Sequence, residues 1–135
     1  MPPQYTDDLA LGPQAVLWRA INPLHIKPDG SVSSAAYKTQ SLSVYVLAET
    51  TPATLAAKFP SWPFQAFTAK VARDAGCIIV PVPDRSGDTS HREIRRAGNP
   101  EARLSAEALK IRAAATWVND PAVPPPPEGP RSSTS

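Results

Sequence analysis

The chain has 135 residues, 41% of them hydrophobic and 19% charged, and 14 basic against 12 acidic side chains leave a net charge of +2. That length gives one domain with enough chain to bury a core, and so small a charge excludes arguing a nucleic-acid partner from composition alone. The single cysteine, the lack of a positive apolar leader and the lack of any run of eighteen apolar residues point to a cytoplasmic protein with no membrane span.

Residues 1–14 carry two early prolines, two aspartates and Gly12-Pro13, and read as an N-terminal arm. Val16, Leu17 and Trp18 favour a short strand, closed by Asn22-Pro23 because a residue before proline is pushed out of helical space. Lys27-Pro28-Asp29-Gly30 is a turn, in which proline presets φ, aspartate bonds its own backbone and glycine supplies positive φ. Leu42, Val44 and Val46 then alternate with Ser43 and Tyr45, the period of a strand with one buried face. Thr51 as N-cap and Pro52 at the first helical position start a helix that Pro60 ends at about Lys58, and Leu55 and Phe59 must pack to hold so short an element.

Ser61-Trp62-Pro63-Phe64 reads as an aromatic loop, either a lid on the core or a patch for a partner. The spacing of Phe67, Val71 and Ala75 predicts a helix stopped by Gly76, and Cys77 to Val82 a buried strand whose prolines put its far end at an edge. Asp84 to Ser90 is a polar loop. His91 to Arg96 is read as a final short strand in preference to an irregular basic loop. Asn99-Pro100-Glu101 has the form of an N-cap, a first-position proline and an acidic first turn, and Leu104, Ala108, Ile111, Ala115 and Val118 continue as an apolar stripe, so one long helix is expected to about Val118. From Asn119 prolines dominate. The expected fold is α+β: a small, mainly antiparallel sheet of four or five strands, two short helices and the long C-terminal helix on one face, spanning residues 15–118, with 119–135 as a disordered Pro-rich tail.

No Gly-rich phosphate loop, zinc spacing or GxSxG elbow is present, and with two histidines no metal site is expected. A polar cluster of Arg19, His25, Ser33, Ser34, Tyr37 and Glu49, joined by His91 and Glu93, is the candidate catalytic set. Its plain reading is an ion pair of Arg19 with Glu49 or Glu93. Its sharper one makes Arg19 a phosphate clamp, Ser33 and Ser34 hydroxyl contacts, and Glu93 or Glu49 a carboxylate that orients a sugar hydroxyl or stabilises a developing oxocarbenium ion, as in cleavage of NAD, the one cofactor this reading needs. Trp62 and Phe64 are candidate contacts for a protein partner, together with the proline tail. Arg92, Arg95 and Arg96 open a basic stretch reaching Arg112 that follows phosphates in a nucleic-acid reading or forms a solvated face in the plain one, and no aromatic residue interleaves it before Trp117.

Leu17-Trp18-Arg19 through Pro23 and His25, then Ser33-Ser34-Ala35-Ala36-Tyr37 and Leu42-Ser43-Val44, resembles a group of small uncharacterised bacterial proteins that open L-[WY]-R-x-I-x-P-x-H, followed by S-S-x-x-[FY]. The resemblance spans about residues 15 to 118 and implies no function. The order of parts also resembles, more distantly, the RES-type NAD-degrading toxins and other ADP-ribosyltransferase-like folds, which would place nucleotide binding on Arg19. This chain departs from them in lacking a Gly-Arg-Trp-Asn run and in carrying Ala56, Ala57 and Lys58 where that group has an acid. A small accessory protein acting through protein contacts is therefore the first expectation, an NAD-consuming enzyme the second and a nucleic-acid binder the third.

Overall fold

The computed structural model describes residues 5–82 and 88–127. In chain order the strands are β1 (Val16–Ala20), β2 (Leu42–Val46), β3 (Phe64–Thr68), β4 (Cys77–Pro81), β5 (His91–Arg96) and β6 (Thr116–Trp117), and the helices are α1 (Pro52–Lys58), α2 (Ala69–Asp74) and α3 (Ala106–Ala114). The fold is α+β. Among the described residues the six strands form one antiparallel sheet in the order β4-β5-β2-β1-β3-β6.

Six strands exceed the four or five expected, and the additions are β3 and β6. β3 points Phe64 and Ala66 to one face and Gln65 and Phe67 to the other, and Phe64, Gln65 and Phe67 are all buried. A strand covered on both faces has no polar alternation to betray it. Phe64 therefore lies inside a strand and not in an aromatic loop. The helix expected from Phe67 begins only after Thr68, whose hydroxyl accepts the Val71 N–H (3.4 Å), and it ends at Ala75 before Gly76 at φ 99°.

The long C-terminal helix is a second correction: α3 has nine residues. Ahead of it, Arg95 donates to the Pro100 carbonyl (3.1 Å) and Gln40 to the Glu101 carbonyl (2.7 Å), groups that a helix from Asn99 would have used internally. Leu104 instead gives its N–H to Thr39 (2.8 Å) and buries its side chain. Past Ala114 the chain turns extended, and Thr116 and Trp117 pair with Ala66 and Gln65. Tertiary partners have overridden a consistent helical pattern.

Helices cover both faces, not the single face expected. Leu17, Val44, Phe67, Ile79 and Ile94 pack under α2 and α3 with Leu104, Ala108 and Ile111. Trp18, Tyr45 and Phe64 pack on the opposite face with Leu55 of α1, where Thr51 caps the helix as expected. Each fully buried large side chain contributes about 1.5–3 kcal/mol of transfer free energy.

The arm docks. Asp8 N–H donates to the Ile79 carbonyl (2.7 Å), Asp7 Oδ1 accepts the Ile79 N–H (2.9 Å), and Arg73 holds Asp7 and the Asp8 and Leu11 carbonyls. The first part of the expected disordered tail also packs, since Val123 is buried against the Trp18 face. Residues 128–135 of that tail, and most of the polar loop expected over Asp84 to Ser90, lie outside the described residues. Cys77 is buried in β4, where burial and then the Glu107 charge push its thiol up to about 12, far from a reactive thiolate.

Candidate functional site

β1 and β2 pair at Leu17 with Val46 and at Trp18 with Tyr45, and then part. Arg19 fills the gap. Its Nε (3.2 Å) and Nη2 (2.7 Å) donate to the Ala36 carbonyl, and its Nη1 donates to the Ser43 carbonyl (2.9 Å), so one side chain ties β1 to β2 and to the short 3-10 turn over Ser34–Ala36. The guanidinium lies 5.7 Å from the Tyr37 ring centroid. Burial lowers the Arg19 pKa from its ordinary value, opposed by Tyr37 and Tyr45. Removing the guanidinium from water is thus the dominant electrostatic fact here.

The parting strands leave a cleft of about 280 Å3 lined by Arg19, Asn22, His25, Ser43, Tyr45, Phe59 and Trp62 among others. Its apolar wall is a chain of rings. Tyr45 meets Phe59 edge-on at 5.7 Å and Phe59 stacks on Trp62 at 5.5 Å, while Tyr45 also stacks on its cross-strand neighbour His91 (5.1 Å), which does not line the cleft. Asn22 is fixed at the cleft mouth because its Oδ1 accepts the Leu24 N–H (3.0 Å) and starts the turn Pro23–His25.

Of the residues singled out in the sequence, the structure brings Arg19, His25 and Trp62 to this cleft. Ser34 is not among the lining residues; its carbonyl accepts the Tyr37 and Lys38 N–H groups within the turn. Glu49 takes Arg92 in a two-oxygen pair (3.0 and 3.2 Å), and Glu93 holds Arg95 (2.8 Å), so the expected Arg19 ion pair does not form with either. His91 lines a separate hollow with Glu49 and Arg92. Among the described residues lining the Arg19 cleft there is no carboxylate.

The basic stretch is largely engaged. Arg92 is buried and meets both Asp8 (3.1 Å) and Glu49, Arg95 meets Glu93, and Arg96 meets Glu107 (3.0 Å). Phe64 is wholly buried, leaving Trp62 as the aromatic that reaches the surface. Sequence reasoning missed Asn22, Ser43, Tyr45 and Phe59. For Ser43 and Tyr45 a signal existed, since both occupy the less apolar face of an alternating strand. Among the described residues no three His, Cys, Asp or Glu side chains gather as a metal site, and no helix is long and apolar enough to cross a membrane. Comparison with protein-family models, with curated proteins and with solved structures finds no match to this chain.

Proposed function

We propose that the chain is a small accessory module that works through contacts with a protein partner, and that the Arg19 cleft is the point of contact. One observation carries the reading: Arg19 is a partly buried cation met by no carboxylate among the described residues, whereas Arg73, Arg92, Arg95 and Arg96 each have one. A desolvated charge held only by neutral acceptors favours an arriving anion. A guanidinium has five N–H hydrogens and three bonds to carbonyls are formed, so two hydrogens remain to give. Phe59 and Trp62 beside them suit a ring or an apolar side chain.

The cleft's volume of about 280 Å3 lies just below the range of ligand sites, which run from roughly 300 to 1,000 Å3, and suits a pair of side chains better than a dinucleotide. The fitting partner segment presents an acidic side chain next to an aromatic one. Titrating the full chain with acetyl-Glu-Phe-amide and following amide and indole NMR shifts should move His25, Ser43, Tyr45 and the Trp62 indole. The effect should vanish when the peptide's glutamate is glutamine, and should weaken about tenfold in Trp62→Ala. Equal action of the two peptides, shifts away from the cleft, or nicotinamide released from NAD by the purified protein would each overturn the reading.

A further inference from the structure

A second hollow, of about 630 Å3, lies between α3, β6 and the Ser31–Val32 turn, and shares no lining residue with the Arg19 cleft. Its floor is Gln65, which is more than nine-tenths buried. Tyr37 donates its hydroxyl to Gln65 Oε1 (2.6 Å), which fixes the amide and leaves Nε2, with two hydrogens to give, without a partner among the described residues. Arg112, in the last turn of α3, lines the same hollow and has neither an ion pair nor a hydrogen bond among the described residues. The charge it presents also opposes the burial that raises the Tyr37 phenol's pKa above its ordinary value. Among the described residues no carboxylate lines the hollow, and Asp29, in the turn before Ser31, is held by the amide and hydroxyl of Ser31. Val32, Leu109 and Trp117 supply apolar surface, with Leu109 exposed at the rim.

We infer that this hollow is a binding site for a carboxylate joined to an apolar body. An amide N–H and a guanidinium together match the two oxygens of one carboxylate, and the guanidinium bond is the charge-assisted one. A single cation balances one negative charge, which favours a monocarboxylate over a phosphate dianion. The apolar lining then takes the group attached to it. The free acid and the C-terminal end of a polypeptide share this chemistry. Gln65 is the register partner of Arg19, but the two sites have no lining residue in common, so either can fail alone.

Isothermal titration of the full chain with N-acetyl-leucine, its neutral methylamide and a hexapeptide ending in a free leucine tests this. Saturable binding of N-acetyl-leucine is expected, with the methylamide silent. Arg112→Gln, on a part-exposed helix face, should weaken the acid at least tenfold, and Gln65→Glu, which keeps an acceptor for Tyr37 but adds a like charge, should abolish it. A hexapeptide bound more tightly than N-acetyl-leucine identifies a polypeptide end as the source, and equal affinity identifies the free acid; both support the site. Acid and methylamide binding alike, no heat from any of the three, or a folded Arg112→Gln chain binding like the parent would overturn it.

Discussion

Along β4 the outward backbone of Ile79 is engaged on both sides of its peptide by the arm, and the next outward position, Pro81, has no N–H to offer. Along β6 the bond from Val118 N–H to the Phe64 carbonyl sets the alternation, so the N–H and carbonyl of Trp117 face away from β3 at the opposite edge. The charges divide in the same way. Arg73, Arg92 and Arg96, on or near the closed edge, meet carboxylates, whereas Arg112 beside the open edge and Arg19 within the sheet meet none among the described residues. Edge closure by an arm and a proline is what keeps a strand from pairing with another chain. Unmatched donors thus collect at the open edge and in the gap between β1 and β2, and both proposed sites sit there.

Arg92→Met should disturb the closed edge most. Arg92 joins Asp8 of the arm to Glu49 beyond β2, and its side chain is only 9% exposed. Its loss strands two carboxylates in a partly buried setting and should cost about 3 kcal/mol, with a fall in Tm of roughly 10 °C. Urea unfolding at neutral pH measures it. A loss below about 1 kcal/mol would mean that the arm is not held by this cation.

Asp7→Ala attacks the edge itself and should have the next largest effect. It removes the acceptor of the Ile79 N–H and the pair with Arg73. Stability should fall by about 2 kcal/mol, and the bared edge should make the chain associate as its concentration rises. Light scattering over a concentration series reads this directly. A variant that stays monodisperse would show that the Asp8 bond to the Ile79 carbonyl and Pro81 suffice to protect the edge without Asp7.

How much of this was legible depends on the range of the interactions concerned. β2 and α1 could be read because their signals are local: Leu42, Val44 and Val46 alternate, and Thr51-Pro52 and Pro60 bracket the helix. β3 could not, because Phe64 and Phe67 are buried on opposite faces without alternation, and Phe67 also falls at helical spacing with Val71 and Ala75. The apolar stripe toward Val118 was real but was cut at both ends, since Arg95 from the preceding strand and Gln40 from far along the chain claim the carbonyls of Pro100 and Glu101, and Thr116 and Trp117 leave the helix to pair with β3. Arg19 stood out as an arginine after an apolar strand, yet its partners proved to be the carbonyls of Ala36 and Ser43, and backbone groups carry no mark in a sequence. Trp62 reaches the same cleft only because α1 returns the chain across the Tyr45 face.

The smallest effect comes from α3, which carries a matched charge at its start and an unmatched one at its end. Glu107 accepts the Ser105 N–H (3.1 Å) and pairs with Arg96, while Arg112 in the last turn faces the hollow. The Ser105 amide, then the residue's own N–H and Arg96 hold the Glu107 carboxyl below the usual carboxylate range. A depressed folded-state pKa means that the unfolded chain takes up protons first as pH falls. The stabilisation is therefore complete above the unfolded carboxylate pKa and is lost as pH drops through the folded value. Glu107→Gln should thus be less stable than the parent by about 0.5–1 kcal/mol at pH 7, with the gap narrowing below about pH 5 and closing in strong acid. A gap that stays constant from neutral to acid pH would assign the loss to shape and not to charge. Arg112→Gln, measured in the same way, should show almost no gap at any pH, because the helix-end dipole is the only partner it loses.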